Sequence, residues 1–136
     1  MLVNGWHSDK RAERRWHTAT PLIAAGLMFA ILISVRQEAT VAISCLLVGS
    51  GFLYAYYPTF WAIPTLMLSE SAAAATFGLI NSIGQLGGFV GNYGIGFLND
   101  RTHSLTASFG FIALVYFAAG TLILTLKPAI DARPRS

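Results

Sequence analysis

The chain has 136 residues, of which 54% are hydrophobic and only 11% charged, with a mean hydropathy of +0.58. A soluble domain carries about 25% charged residues, so the composition excludes an ordinary water-soluble domain and indicates a membrane protein. The net charge of +3 comes from basic residues gathered towards the two ends, a distribution suited to lipid headgroups and membrane orientation and not to nucleic acid, which is excluded as a partner.

Residues 1–18, MLVNGWHSDKRAERRWHT, form a polar segment with Lys10, Arg11, Arg14 and Arg15 against Asp9 and Glu13. It reads as a basic cytoplasmic loop and not as a secretory leader. Residues 19–35 are an uncharged run, just long enough to cross roughly 30 Å of hydrocarbon, with Pro21 expected in the first helical turn, where a missing N–H costs little. After a short loop of Arg36, Gln37 and Glu38, a second run covers 39–63 and holds Tyr54, Tyr56, Tyr57, Phe60 and Trp61. Pro58 is expected to kink or break it, and Pro64 to mark its exit. Cys45 is the one cysteine, set in an apolar run as a small packing residue.

The third run, 72–98, is dense in glycine, and the fourth, 105–126, is apolar and closed by Lys127 and Pro128. A polar tail, 127–136, follows. Four spans place both termini on one side of the membrane. Lys10, Arg11, Arg14, Arg15, Lys127, Arg133 and Arg135 lie there, against Arg36 and Arg101 on the other, so the positive-inside rule puts both termini in the cytoplasm.

Within the third run, a rotation of about 100° per residue brings Asn81, Gln85, Gly88 and Asn92 within about 60° of one another. Gly84, Gly87, Gly91 and Gly94 fall on the adjacent face, and Leu79, Ile83, Leu86, Val90 and Phe97 on the far one. Gly84, Gly87, Gly88 and Gly91 have the four-residue spacing that lets another helix approach closely in lipid. Two readings of the amides stand open: bridges to neighbouring helices, or a polar lining to a substrate path. Tyr54, Tyr57 and Trp61 share i, i+3, i+7 spacing, and they too read either as an interfacial belt or as a cavity wall. The histidines His7, His17 and His103 lack metal-ligand spacing and no acidic residue lies within a span. Enzyme chemistry, a metal and a cofactor are therefore not expected.

Gly5-Trp-His-Ser-Asp9-Lys10-Arg-Ala-Glu-Arg14-Arg15 resembles the G-x-x-x-D-[RK]-x-G-[RK]-[RK] loop of the major facilitator superfamily, departing at Ala12 and by the extra Glu13. SDKRAERRWH is similar to the loop between helices 8 and 9 in the anion:cation symporter branch, which includes tartrate, phthalate and hexuronate permeases. PTFWAIPTLMLS and INSIGQLGGFVGNYGIGFLND are similar to its helices 10 and 11, with Asn92 where proline is frequent. The resemblance implies an all-α membrane protein whose four transmembrane helices correspond to helices 9–12 of a twelve-helix fold. It also implies a truncated C-terminal fragment, inactive alone.

The implied function is proton-coupled uptake of small organic anions, carboxylates or sugar acids, across the bacterial inner membrane. The implied partners are the bilayer, the anion and the proton, together with the missing N-terminal helices or a second copy. On that reading Asn81, Gln85, Asn92, Tyr54 and Tyr57 line the substrate path. Gly5, Asp9, Lys10, Arg14 and Arg15 form a cytoplasmic gating loop. Gly96-Phe-Leu-Asn-Asp100-Arg101 repeats the Gly-x-x-x-Asp-basic spacing of the first loop, as an inverted repeat would. The alternative is an independent four-helix membrane scaffold or small exporter; an exporter needs a carboxylate within the membrane, which the spans lack.

Overall fold

A computed structural model of the chain describes residues 2–11 and 13–126. They form six helices: α1 (Leu2–Arg11), α2 (Arg14–Val35), α3 (Ala39–Ala55), α4 (Tyr57–Met67), α5 (Glu70–Thr102) and α6 (Leu105–Thr125). By length and composition, four helical segments can cross a bilayer: α2, the joined Ala39–Thr65 segment, α5 and α6. The polar tail 127–136 lies outside the described residues.

The basic segment 1–18, expected as a loop, is helical at both ends. α1 occupies most of it, and α2 begins at Arg14, well ahead of the apolar run. The early start is supported locally, since Thr18 Oγ1 donates to the Arg14 carbonyl at 2.8 Å. It also corrects the placing of Pro21, which lies inside α2 and not in its first turn. Proline at that position leaves the carbonyl four residues earlier, that of His17, without its helical donor. Two side chains supply the missing bonds: Asn4 Nδ2 at 2.8 Å and Thr59 Oγ1 at 3.3 Å.

The expected kink in the second run is present as a break at Tyr56, with Pro58 in the first turn of α4. Tyr56 keeps helical dihedrals (φ −77°, ψ −22°), so α3 and α4 form one bent rod. Asn4 Nδ2 also donates to the Ala55 carbonyl at the end of α3, at 2.8 Å. One amide on α1 thereby ties two apolar helices together at their proline-disturbed ends. Pro64 does not mark the exit. α4 runs on to Met67, because Pro64, about two turns into α4, forfeits only the bond to the Phe60 carbonyl. Asn4→Ala removes both bonds of the bridge, at about 1–3 kcal/mol if the carbonyls stay dry. The expected result is faster tryptic cleavage after Lys10 and a lower detergent-unfolding midpoint.

α2 is the centre of the bundle, packed along α6 and α3. Its seam with α6 is antiparallel and very close. A Cβ built on Gly120 would lie 2.7 Å from Ile23 Cγ1, and one on Gly26 would lie 3.2 Å from the Ala113 carbonyl oxygen. Ala19, Leu22 and Ile123 are buried at one end of this seam, with Tyr56, Phe60 and Tyr116 packed against them. Gly49 of α3 plays the same part against Met28 of α2, where a Cβ would sit 3.3 Å from Met28 Cβ. In hydrocarbon, close backbone approach of this kind supplies the association that the hydrophobic effect supplies in water.

α5 has 33 residues, about 50 Å at 1.5 Å per residue, so it overruns the expected 72–98 at both ends. His103 closes it in the left-handed region (φ 47°), its N–H donating to the Asn99 carbonyl at 2.8 Å. Ser104 then caps α6 by accepting from the Thr106 N–H at 3.2 Å. α5 touches its neighbours near its ends. Phe77 meets Trp61 of α4 edge-on at 5.5 Å, Gly94 faces the Phe111 ring, and Ser108 Oγ reaches the Ile95 carbonyl at 3.4 Å. Residues 81–90 between those contacts are all exposed.

Candidate functional site

The break at Tyr56 brings aromatic hydroxyls together. Tyr54 and Tyr57 stack with ring centres 6.4 Å apart, and Tyr56 lies 5.0 Å from Tyr57. With Ser50, Leu53 and Tyr116 of α6 they line an open cleft of about 310 Å³. The expected companion Trp61 is turned elsewhere, against Phe60 and Phe77, since helical face arithmetic does not carry across a break.

A second cleft, of about 390 Å³, runs between α5 and α6. Gly87, Gly88, Gly91 and Asn92 form its α5 wall, and Phe111, Val115 and Tyr116 belong to the α6 wall. Tyr116 therefore borders both clefts. Its ring is held by stacking on Phe29 of α2 at 5.7 Å. Periodicity alone did not single out Tyr116, since α6 is apolar all round and no pattern gives it a preferred face. Its hydroxyl among Ala, Val and Phe residues was the available signal.

Asn81 and Gln85 are exposed and do not line these two clefts. Asn92 is exposed at the mouth of the second. No described residue lies within 4 Å of a Cβ built at Gly84, Gly87, Gly88 or Gly91. Within the described chain, then, the expected packing face packs against nothing, and the tight glycine seam is the one at Gly26 and Gly120. Phe89 between the glycines is 72% exposed, and over residues 81–90 the polar, glycine and apolar faces of α5 are all uncovered.

The basic segment is also built. Gly5 rests on Pro58, whose Cβ would be 3.5 Å from a Cβ at Gly5. Lys10 Nζ lies 5.2 Å from the Trp6 ring centre and the Arg15 guanidinium 5.6 Å from that of Trp16. Arg14 is half-buried in the first turn of α2, and the side chain of Asp9 lies outside the described residues. At the far end of α5, Arg101 stands 5.3 Å from the Phe97 ring centre. The two Gly-x-x-x-Asp-basic segments thus share one detail beyond spacing: each basic residue covers the aromatic one turn before it. Among the described residues, no group of three or more His, Cys, Asp or Glu side chains is gathered to hold a metal.

The sequence is 42% identical over 127 residues to a presumed tartrate transporter of Agrobacterium vitis, and 41% identical over 127 residues to a second from the same organism. It is 33% identical over 125 residues to a quinolone resistance transporter of Acinetobacter baumannii. Each match takes in 92% of this chain but only 29%, 26% and 28% of the respective relative. The chain therefore spans less than a third of the length of the curated relatives it matches. No protein-family profile matches it, and no solved structure does. The chain is homologous to bacterial membrane transporters and not to enzymes.

Proposed function

We propose that the chain supplies four helices to the C-terminal half of a secondary active transporter of the major facilitator superfamily, in its anion:cation symporter branch. α2, α3 with α4, α5 and α6 would be helices 9 to 12. The cargo would be a small organic anion, a carboxylate or sugar acid, taken up with a proton across the bacterial inner membrane, both termini cytoplasmic. The observation that carries this reading is α5: an apolar helix with three amides in register beside glycines that no described residue fills. Amides uncovered in hydrocarbon lack hydrogen-bond partners, so a further set of helices, or a substrate, is required to complete them. The tartrate named for two relatives fits an amide- and hydroxyl-lined path, and the matched Gly-x-x-x-Asp-basic segments fit inverted repeats.

On this reading Asn81, Gln85 and Asn92 line the path with Tyr54 and Tyr57. Gly5, Asp9, Lys10, Arg14 and Arg15 form the cytoplasmic gate, and Gly84, Gly87, Gly88 and Gly91 receive a helix from outside this chain. The test is a chimaera in which residues of this chain replace the matching 127-residue segment of the tartrate transporter. Uptake of labelled tartrate into cells producing the chimaera is the expected result. A well-inserted chimaera with no uptake of tartrate or of other small carboxylates overturns the assignment.

A further inference from the structure

His7 and His17 lie face to face where α1 crosses the start of α2. His7 Nδ1 is 2.7 Å from His17 Nε2, and the ring centres are 4.9 Å apart. His17 Nδ1 sits 2.6 Å from the Glu13 carbonyl oxygen. That oxygen can only accept, so Nδ1 of His17 carries a hydrogen and its Nε2, in the neutral ring, is an acceptor. His7 must then donate through Nδ1, leaving its own Nε2 outward. The pair fits together neutral. It also fits with one added proton, which goes to Nε2 of His7 and leaves the central bond intact and charge-assisted. A second proton has no place. It would set two N–H donors against each other across 2.7 Å and put two positive charges on one contact.

We propose that His7 and His17 are a one-proton site that latches α1 onto the bundle and lets go on the second protonation. The sequence around the pair is mainly basic. α1 carries Lys10 three residues after His7, with Asp9 and Arg11 on the same helix. The connection and first turn of α2 carry Glu13, Arg14 and Arg15. α3 and α4 contribute as ionisable residues only Cys45, Tyr54 and Tyr57, with Tyr56 at their junction, and α6 along α2 contributes Tyr116. The described side chains thus bring three cations and one carboxylate. What the latch controls is local. α1 carries Asn4, which bridges the His17 and Ala55 carbonyls, and Gly5, which rests on Pro58. Acid therefore loosens the helix that braces the α3–α4 break. The proposal stands on the geometry of the pair and does not depend on what the chain transports.

The test uses the full chain in lipid nanodiscs, with Cys45→Ser and spin labels at Lys10→Cys and Thr65→Cys, both exposed positions. Histidine as a residue type changes charge between about pH 5 and 8. A narrow inter-label distance at about pH 8 should give way to a broad one at about pH 5, with the latched population falling roughly ten-fold, the equivalent of one lost hydrogen bond. His7→Asn is the informative variant. Its amide can donate to neutral His17 or, turned over, accept from charged His17, so the narrow distribution should persist at both pH values. His7→Ala should show no pH response, whatever its baseline. A wild-type distribution that does not change with pH, or a His7→Asn variant that broadens in acid as the wild type does, overturns the proposal.

Discussion

Gly120→Leu should separate α6 from α2 and leave the chain unable to hold its bundle. A Cβ alone at position 120 would stand 2.7 Å from Ile23 Cγ1 and 3.4 Å from the Ala19 carbonyl oxygen, and leucine adds three further carbons in the same direction. Overpacking of a well-filled seam costs about 1–3 kcal/mol. Here the whole α2–α6 contact must open, so the expected loss is at the top of that range or above it. Thermal unfolding in detergent and membrane yield both read this out. The steric cause has a control. Gly120→Ala should be costly in the native background and close to neutral with Ile23→Ala, because the atom that it meets is then gone. An alanine penalty that survives Ile23→Ala refutes the steric account. Gly87→Leu provides a contrast, since no described residue lies within 4 Å of its Cβ. In the isolated chain it should leave stability within about 0.5 kcal/mol of wild type.

Asn81→Leu with Gln85→Leu, placed in the tartrate-transporter chimaera, should lower uptake by about ten- to hundred-fold while leaving insertion unchanged. The net loss of one hydrogen bond to a charged partner, about 1.5–3 kcal/mol, is the source of that range. The loss belongs in apparent affinity if the amides bind the carboxylate, and in maximal rate if they bridge moving helices. Asn81→Gln and Gln85→Asn should keep part of the activity. Unchanged uptake in the double leucine variant removes both residues from the path. The same substitutions in the isolated chain should be mildly stabilising in detergent, because both amides are exposed there.

The difference between those two experiments reflects what a sequence can and cannot disclose in a membrane chain. The four apolar helices were legible, because a bilayer forces every long apolar run into one structure. Pro58 announced its own break, since a missing N–H has a fixed consequence. Pro21 was misplaced for a related reason: whether a proline opens a carbonyl depends on where the helix begins, and a polar first turn at 14–18 gives little periodic signal. Glycine content was a guide to close packing but not to its partner. The glycine-rich face of α5 stands out by number, while the seams that hold the bundle use the isolated Gly26 and Gly120 between α2 and α6 and Gly49 between α3 and α2. A face can be computed from periodicity; the neighbour that fills it is a tertiary fact. α1 was hidden for the same reason. Its docking rests on Asn4, Gly5 and His7, three residues without helical periodicity, each meeting a group more than nine positions away in the chain.

The bridge made by Asn4 has a mechanical side. Ala55, whose carbonyl it holds, is flanked in sequence by Tyr54 and Tyr56, and those rings line the tyrosine cleft. α1 is thus a handle attached one residue from the cleft wall. Trp6 and Lys10 are both exposed on it, so a displacement of α1 reaches the tyrosine pair through Asn4. The lever is short, and its pivot is a single amide.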